Sequence, residues 1–161
     1  MISMPAKTTA FLFIILCCVG VSSRAQETSV NWLTFEQLED SLNVQPKPVF
    51  IDFYTKWCTY CRKMDKVVFT KPDVIHLLNA TYYAVRFDAE SASEVVFGGQ
   101  TFINDQLDQR RSPIHQIAQL LATRQGQFTP PAMILLDEDF SVTARCFEYM
   151  DSKRFMRALS P

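Results

Sequence analysis

Two periods of apolar residues alternate along this chain. Phe35, Leu38 and Leu42 recur at helical spacing. Thr34 and Gln37 form a capping-box pair before them, with Leu33 and Leu38 placed to brace it as a hydrophobic staple. The pattern predicts a helix to about Asn43, broken by Pro46 and Pro48. Residues 49–54 are an apolar run interrupted only by Asp52, which predicts a buried strand. A second helix is expected just after Trp57 and Cys58, with Cys61, Met64, Val67 and Val68 on one side. Pro72 punctuates it, and residues 74–78 supply a further turn or two. Residues 82–87 then alternate as a strand ending at Asp88.

A long connection, residues 89–131, carries weaker signals. Apolar residues on both sides of Gly98 and Gly99 predict a small hairpin with a two-residue turn. Ser112 and Pro113 suit the N-cap and first turn of a helix whose stripe is Ile114, Ile117, Ala118 and Leu121, ending near Gly126. Beyond it, residues 132–136 and 142–147 flank the charged turn Asp137, Glu138 and Asp139 as an antiparallel pair. Ser152 is the expected cap of a closing helix with Phe155, Met156 and Leu159. Strands alternating with helices, then a hairpin, predict an α/β fold with a central mixed sheet flanked by helices.

The amino-terminal segment follows a different rule. Lys7 precedes an apolar run at 10–21, and Ser23-Arg24-Ala25 has the small-x-small form of a signal-peptidase site. Residues 1–25 are therefore expected to be a signal peptide, leaving residues 26–161 as one domain of an exported, periplasmic protein. A retained anchor is the competing reading, although the run is shorter than the ~20 residues that span a bilayer. A lipoprotein site fits less well, because Leu16 precedes Cys17. The chain has 16 basic and 17 acidic residues, and removing Lys7 and Arg24 leaves 14 basic, a net charge of −3. That balance gives no reason to expect nucleic acid as a partner.

Cysteine positions change the picture most. Cys17 and Cys18 fall in the leader, so Cys58, Cys61 and Cys146 remain. Residues three apart at a helix start share a face, close enough for their sulfurs to bond. Cys58 sits where unpaired N–H groups and the helix dipole favour a thiolate, with Lys56 and Arg62 beside it. Cys61, one turn inside, is expected to be more buried and less reactive. The reading is that Cys58 attacks a partner disulfide and Cys61 resolves the mixed disulfide. Two other readings stay open. Half of a zinc site needs two more ligands, and Cys146, His76 and His115 offer no paired spacing. An inert structural disulfide fits poorly with so short a loop. Asp52, a carboxylate in an apolar strand six residues before Cys58, is a candidate proton acceptor for Cys61, the alternative being a solvent-facing or loop-capping residue.

Val49-Phe50-Ile51-Asp52-Phe53-Tyr54 followed by Trp57-Cys58-x-x-Cys61 resembles the thioredoxin superfamily. Trp32 to Glu36 before the strand, and Arg62 to Asp65 with Phe69 after the cysteines, are similar to exported bacterial thioredoxin-like proteins and the DsbD C-terminal domain. The resemblance implies a thioredoxin fold, with the 89–131 segment as an insertion before the strand that follows a cis-proline. Pro131 matches that proline, and Trp57, Thr59, Tyr60, Pro130 and Pro131 become the substrate-binding positions. It also implies thiol–disulfide oxidoreductase chemistry without cofactor or metal, protein disulfides or dithiols as substrates, a membrane electron donor of DsbD type, and a monomer. Reductase is the direction this subgroup implies; oxidase or isomerase activity, or a non-catalytic client-binding module, are the alternatives.

The chain departs from the family pattern in three respects. Pro130, the residue before the matched cis-proline, has no N–H, so the strand-like pairing with a peptide substrate that the family makes at this position is expected to lose one hydrogen bond. Thr59-Tyr60 is neither the Gly-Pro of thioredoxin nor the Pro-His of DsbA, which leaves the redox direction open. Ala84 stands where thioredoxin has the lysine near its buried aspartate, so Asp52 is expected to lack a cationic partner. Cys146 is expected in the core, and His76 and His115 as structural or surface groups.

Overall fold

Strand alternation decides what lies on each side of the sheet. The computed structural model describes residues 27–159; the expected leader, with Cys17 and Cys18, lies outside the described residues. Strands β1 (Trp32–Leu33), β2 (Val49–Tyr54) and β3 (Tyr83–Asp88) run parallel. Strands β8 (Ala132–Leu136) and β9 (Val142–Cys146) complete the sheet antiparallel, in the order β1-β3-β2-β8-β9. One face gathers Phe50, Ala84, Met133 and Leu135 against Met64 of α2 (Thr59–Val67), Ile75 and Leu78 of α3 (Pro72–Thr81), and Phe155 and Leu159 of α5 (Ser152–Leu159). The other gathers Val49, Ile51, Phe53, Ile134 and Leu136 against Phe35 and Leu38 of α1 (Phe35–Val44) and Ile117 of α4 (Gln116–Leu121). This is the thioredoxin-like mixed sheet flanked by helices that the sequence implies.

Local chemistry fixes the helix starts. Thr34 and Gln37 form the reciprocal capping box, with Gln37 N–H donating to Thr34 Oγ1 at 3.2 Å and Thr34 N–H donating to Gln37 Oε1 at 2.9 Å. Pro72 opens α3 as its first-turn residue, so one expected helix becomes two. The last helix is capped by Asp151, whose carboxylate accepts from Arg154 N–H at 2.8 Å, and not by Ser152.

The 89–131 segment is more structured than its sequence suggests. The glycine-turn hairpin is present as β4 (Val95–Phe97) and β5 (Gln100–Phe102), with both glycines at positive φ. It leans on α1, where Glu36 and Glu39 accept from Val96 N–H and Gly98 N–H at 3.4 and 3.1 Å. Helix α4 starts later than expected. Ser112 and Pro113 stay outside it, and buried His115 is its N-cap. The His115 Nδ1 accepts from Ile117 N–H at 3.2 Å, which leaves Nε2 as the protonated nitrogen to donate to Ser93 O at 3.0 Å. Burial holds the imidazole below its ordinary pKa, in keeping with that neutral form. The expected end of this helix is instead a second hairpin, β6 (Thr123–Arg124) and β7 (Gln127–Phe128), turning through Gln125 and Gly126 at positive φ. Cys146 is half-buried at the sheet edge, because β9 is covered on one side only. Its thiol is raised in pKa chiefly by that burial. Among the described residues no helix is long and apolar enough to cross a membrane.

Phe155 is fully buried and meets Phe50 and Phe69 edge-on at ring separations of 5.5 and 5.6 Å. Truncating it leaves a cavity against the sheet. Phe155→Ala is expected to cost about 3–5 kcal/mol, read from the urea midpoint of the purified protein.

Candidate functional site

The redox turn grows directly out of β2. Cys58 N–H donates to Thr55 O at 3.1 Å, and Cys58 is the N-cap of α2. Its sulfur is bonded to that of Cys61, and Cys58 Sγ accepts from Cys61 N–H at 3.0 Å. An i, i+3 spacing places both sulfurs over the first turn, where backbone N–H groups have no intrahelical acceptors. The expected difference in burial is absent, since Cys58 is 4% and Cys61 3% exposed. What separates them is position: Cys58 terminates the helix, whereas Cys61 lies inside it.

Charges around the turn are tied down. Arg62 donates to Lys56 O at 2.7 Å and to Thr59 Oγ1 at 3.2 Å, which keeps its guanidinium beside the helix start. Lys56 reaches Asp88 at 3.7 Å, so part of its charge is offset. Trp57 and Tyr60 are 57% and 59% exposed and stand on either side of Cys58, with Thr59 also exposed. Trp57 is anchored by its indole N–H, which donates to Glu90 Oε1 at 2.9 Å. The Tyr60 ring lies 5.9 Å from that of Tyr149, over which Lys63 sits at 4.4 Å. Tyr149 was not legible as part of this surface, since it is distant in sequence and carries no motif.

The β2–β8 register pairs Phe53 with Ala132, which brings the end of the insertion to the strand end that launches the turn. The Pro130–Pro131 peptide bond is cis. Pro131 is buried, and half-buried Pro130 shares a groove wall with Trp57.

Asp52 lies on the face of β2 that meets α2, two residues along from Phe50, and is 2% exposed. Its cross-strand partner is Arg86, whose Nε is 3.3 Å from Asp52 Oδ2. The expectation of a missing cation is therefore corrected. Ala84 occupies the same face one pair earlier, opposite Phe50, and the charge sits at Arg86, opposite Asp52. The signal was available, as Arg86 is the only cation in that strand. Arg86 also binds Asp65 of α2 at 2.6 Å, and its guanidinium lies over the rings of Tyr54 and Trp32 at 4.5 and 5.7 Å. Burial pushes the Asp52 carboxyl up to about 7; Arg86 opposes that shift and Asp65 adds to it. The arrangement can hold or accept one proton beneath the helix that carries Cys61. Among the described residues, no three His, Cys, Asp or Glu side chains gather as a metal site.

Comparison with known proteins finds a family and a shared fold. Residues 35–160 match the model of a family described as a thioredoxin-like domain. The thiol:disulfide interchange protein DsbD of Colwellia psychrerythraea is 32% identical over 85 residues, which are 48% of this chain but only 14% of that protein. Two solved structures share the fold at low identity. A thioredoxin from Thermus thermophilus has TM-score 0.57 and 18% identity, covering 81% of this chain and 85% of its own. The Neisseria meningitidis DsbD C-terminal domain, in the reduced form, has TM-score 0.51 and 19% identity, covering 77% and 89%.

The raised carboxyl couples to folding with a definite sign. A buried Asp52 that binds its proton more tightly than in the unfolded chain stabilises the fold fully below pH 4. That stabilisation is lost as pH rises from about 4 through about 7. The stability of Asp52→Asn relative to the unsubstituted protein should therefore climb over this window, by at most roughly 4 kcal/mol, in paired urea titrations. A pH-independent difference would show that Asp52 does not titrate there.

Proposed function

Since the chain belongs to the thioredoxin-like domain family, we propose that it is a thiol–disulfide oxidoreductase that reduces disulfides of exported proteins. The observation that carries the reading is the Cys58–Cys61 disulfide at the start of α2, with a buried carboxylate on the strand beneath that helix. The relationship to a thiol:disulfide interchange protein supports exchange chemistry, and the reductase direction follows the DsbD-like resemblance of the sequence. Export into the periplasm rests on the sequence of residues 1–25.

In the reduced protein, the Cys58 thiolate attacks one sulfur of a substrate disulfide. That S–S bond breaks, a Cys58–substrate bond forms, and the departing substrate sulfur leaves as a thiolate that takes up a proton. Cys61 then loses its proton to the Asp52 carboxylate and attacks Cys58 Sγ. The Cys58–Cys61 bond forms, the second substrate sulfur leaves, and the substrate has gained two electrons as a dithiol. An Asp52 that titrates at about 7 can take that proton and pass it on near neutral pH. Arg86, held by Asp65 and two rings, positions the carboxylate and does not touch the substrate. Trp57, Thr59, Tyr60, Pro130 and Pro131 are the substrate-facing positions, and Pro130 supplies no N–H to a bound peptide. The electrons return through an external dithiol donor, for which a membrane protein of DsbD type is the proposed class. The protein acts as a monomer without cofactor or metal.

Insulin reduction by dithiothreitol tests the chemistry. Cys58→Ser should abolish the acceleration, and Cys61→Ser should accumulate a mixed disulfide separable on non-reducing gels. Unchanged rates in both variants would leave only a binding role. Equilibration with glutathione tests direction: a potential near ~−270 mV fits a reductase, and one near ~−120 mV rules it out.

A further inference from the structure

Two hollows open beside the redox turn, of about 530 and 550 Å³, and both are walled by Trp57 and Ser112. The first runs back to Gln127 and Pro130, next to the buried Pro131, with Arg110 in its wall; the second holds Arg111 and Glu90. A compact molecule would fill one of them, whereas an extended chain passing Trp57 could occupy both.

Charge states what that chain should carry. Neither Arg110 nor Arg111 has a side-chain hydrogen bond or ion pair among the described residues, in contrast to Arg62, Arg86, Arg145 and Arg154. An exposed guanidinium without a partner gains from a carboxylate brought beside it, and each hollow offers one such group. Three carboxylates in this part of the fold are already engaged, and Asp108, two residues before Arg110, is exposed and unpartnered among the described residues. Glu90 accepts from the Trp57 indole, Asp88 pairs with Lys56, and Asp105 accepts from Gln116 at 3.3 Å. Lys56, Arg62 and Lys63 add further positive charge around the disulfide, on a chain whose net charge is −1. The rim of the site thus has a sign opposite to the molecule's own.

We propose that Arg110 and Arg111 make this groove selective for protein disulfides whose cysteine is flanked, within a few residues, by acidic side chains. The inference rests on the oxidoreductase reading and names its substrate class. The insertion then determines specificity, as it delivers both arginines to the side of Cys58 that Trp57 and Pro130 define.

The test uses the full protein and two mixed peptide disulfides, identical except that one carries a pair of aspartates near its cysteine and the other a pair of serines. Reduction of the acidic peptide should be about fivefold to tenfold faster in kcat/KM at low salt, falling toward parity as ionic strength rises. Arg110→Gln with Arg111→Gln should bring the ratio of the two rates near one. Arg110→Glu with Arg111→Glu should invert it, the serine peptide then being reduced faster than the acidic one. Equal rates for both peptides in the unsubstituted protein overturn the selectivity and leave the oxidoreductase reading intact. A preference for glutathione disulfide over hydroxyethyl disulfide, without discrimination between the peptides, assigns the groove to small molecules and overturns the proposal. Failure to reduce any of these disulfides overturns both readings.

Discussion

Strand β2 is paired on each edge and covered by helices on each face, so a polar side chain within it has no route to bulk water. That double burial is the constraint from which the site follows. It fixes the register on both sides, because a slip of one residue would exchange Phe50 and Asp52 with Ile51 and Phe53. The same register sets Arg86 opposite Asp52 and brings the 130–132 segment to the end of the strand where the redox turn begins. The disulfide is thus positioned by the core, with the loop between strand and helix spanning only a few residues.

A buried carboxylate and guanidinium rarely make a fold more stable than an apolar pair would, since both must leave water. Here the arrangement is bridged rather than isolated. Arg86 reaches Asp65 on α2 as well as Asp52 on β2, and its flat face is enclosed by Tyr54 and Trp32. One cation shared between two carboxylates cannot fully satisfy both. The more buried one, Asp52, is left holding its proton more tightly than an exposed carboxyl does, while the helix bearing the cysteines is tied to the strand beneath it. The tether between strand and helix and the raised carboxyl are the same three side chains.

Much of this was legible in the sequence where a local rule acts alone. The capping box at Thr34, the apolar run around Asp52, the glycine hairpin and the cysteine pair all depend on neighbours within a few residues. What escaped depends on contacts across the chain. Arg86 is paired with Asp52 by the register across strands, which no local rule shows, and the family pattern points instead to Ala84, two residues away on the same face. Ser112 and Pro113 look like a helix start, yet His115 takes the cap because its buried ring also reaches Ser93. Tyr149 joins the surface near Cys61 only through packing against Tyr60. Cys146 alternates like a core residue, but its strand lies at the edge of the sheet.

The insertion is closed on itself at its base. Buried Asn104 donates to Ser91 O and Pro113 O at 3.1 and 3.2 Å and accepts from Gln106 N–H, while His115 N–H donates to Ala89 O at 2.8 Å. These bonds clasp the two ends of the 105–112 stretch to the scaffold while leaving most of its side chains in solvent. A loop held in this manner can change its composition without disturbing the sheet. Substitutions there would be nearly free in folding energy, so the clientele of such a protein could diverge between lineages while its disulfide chemistry stayed the same.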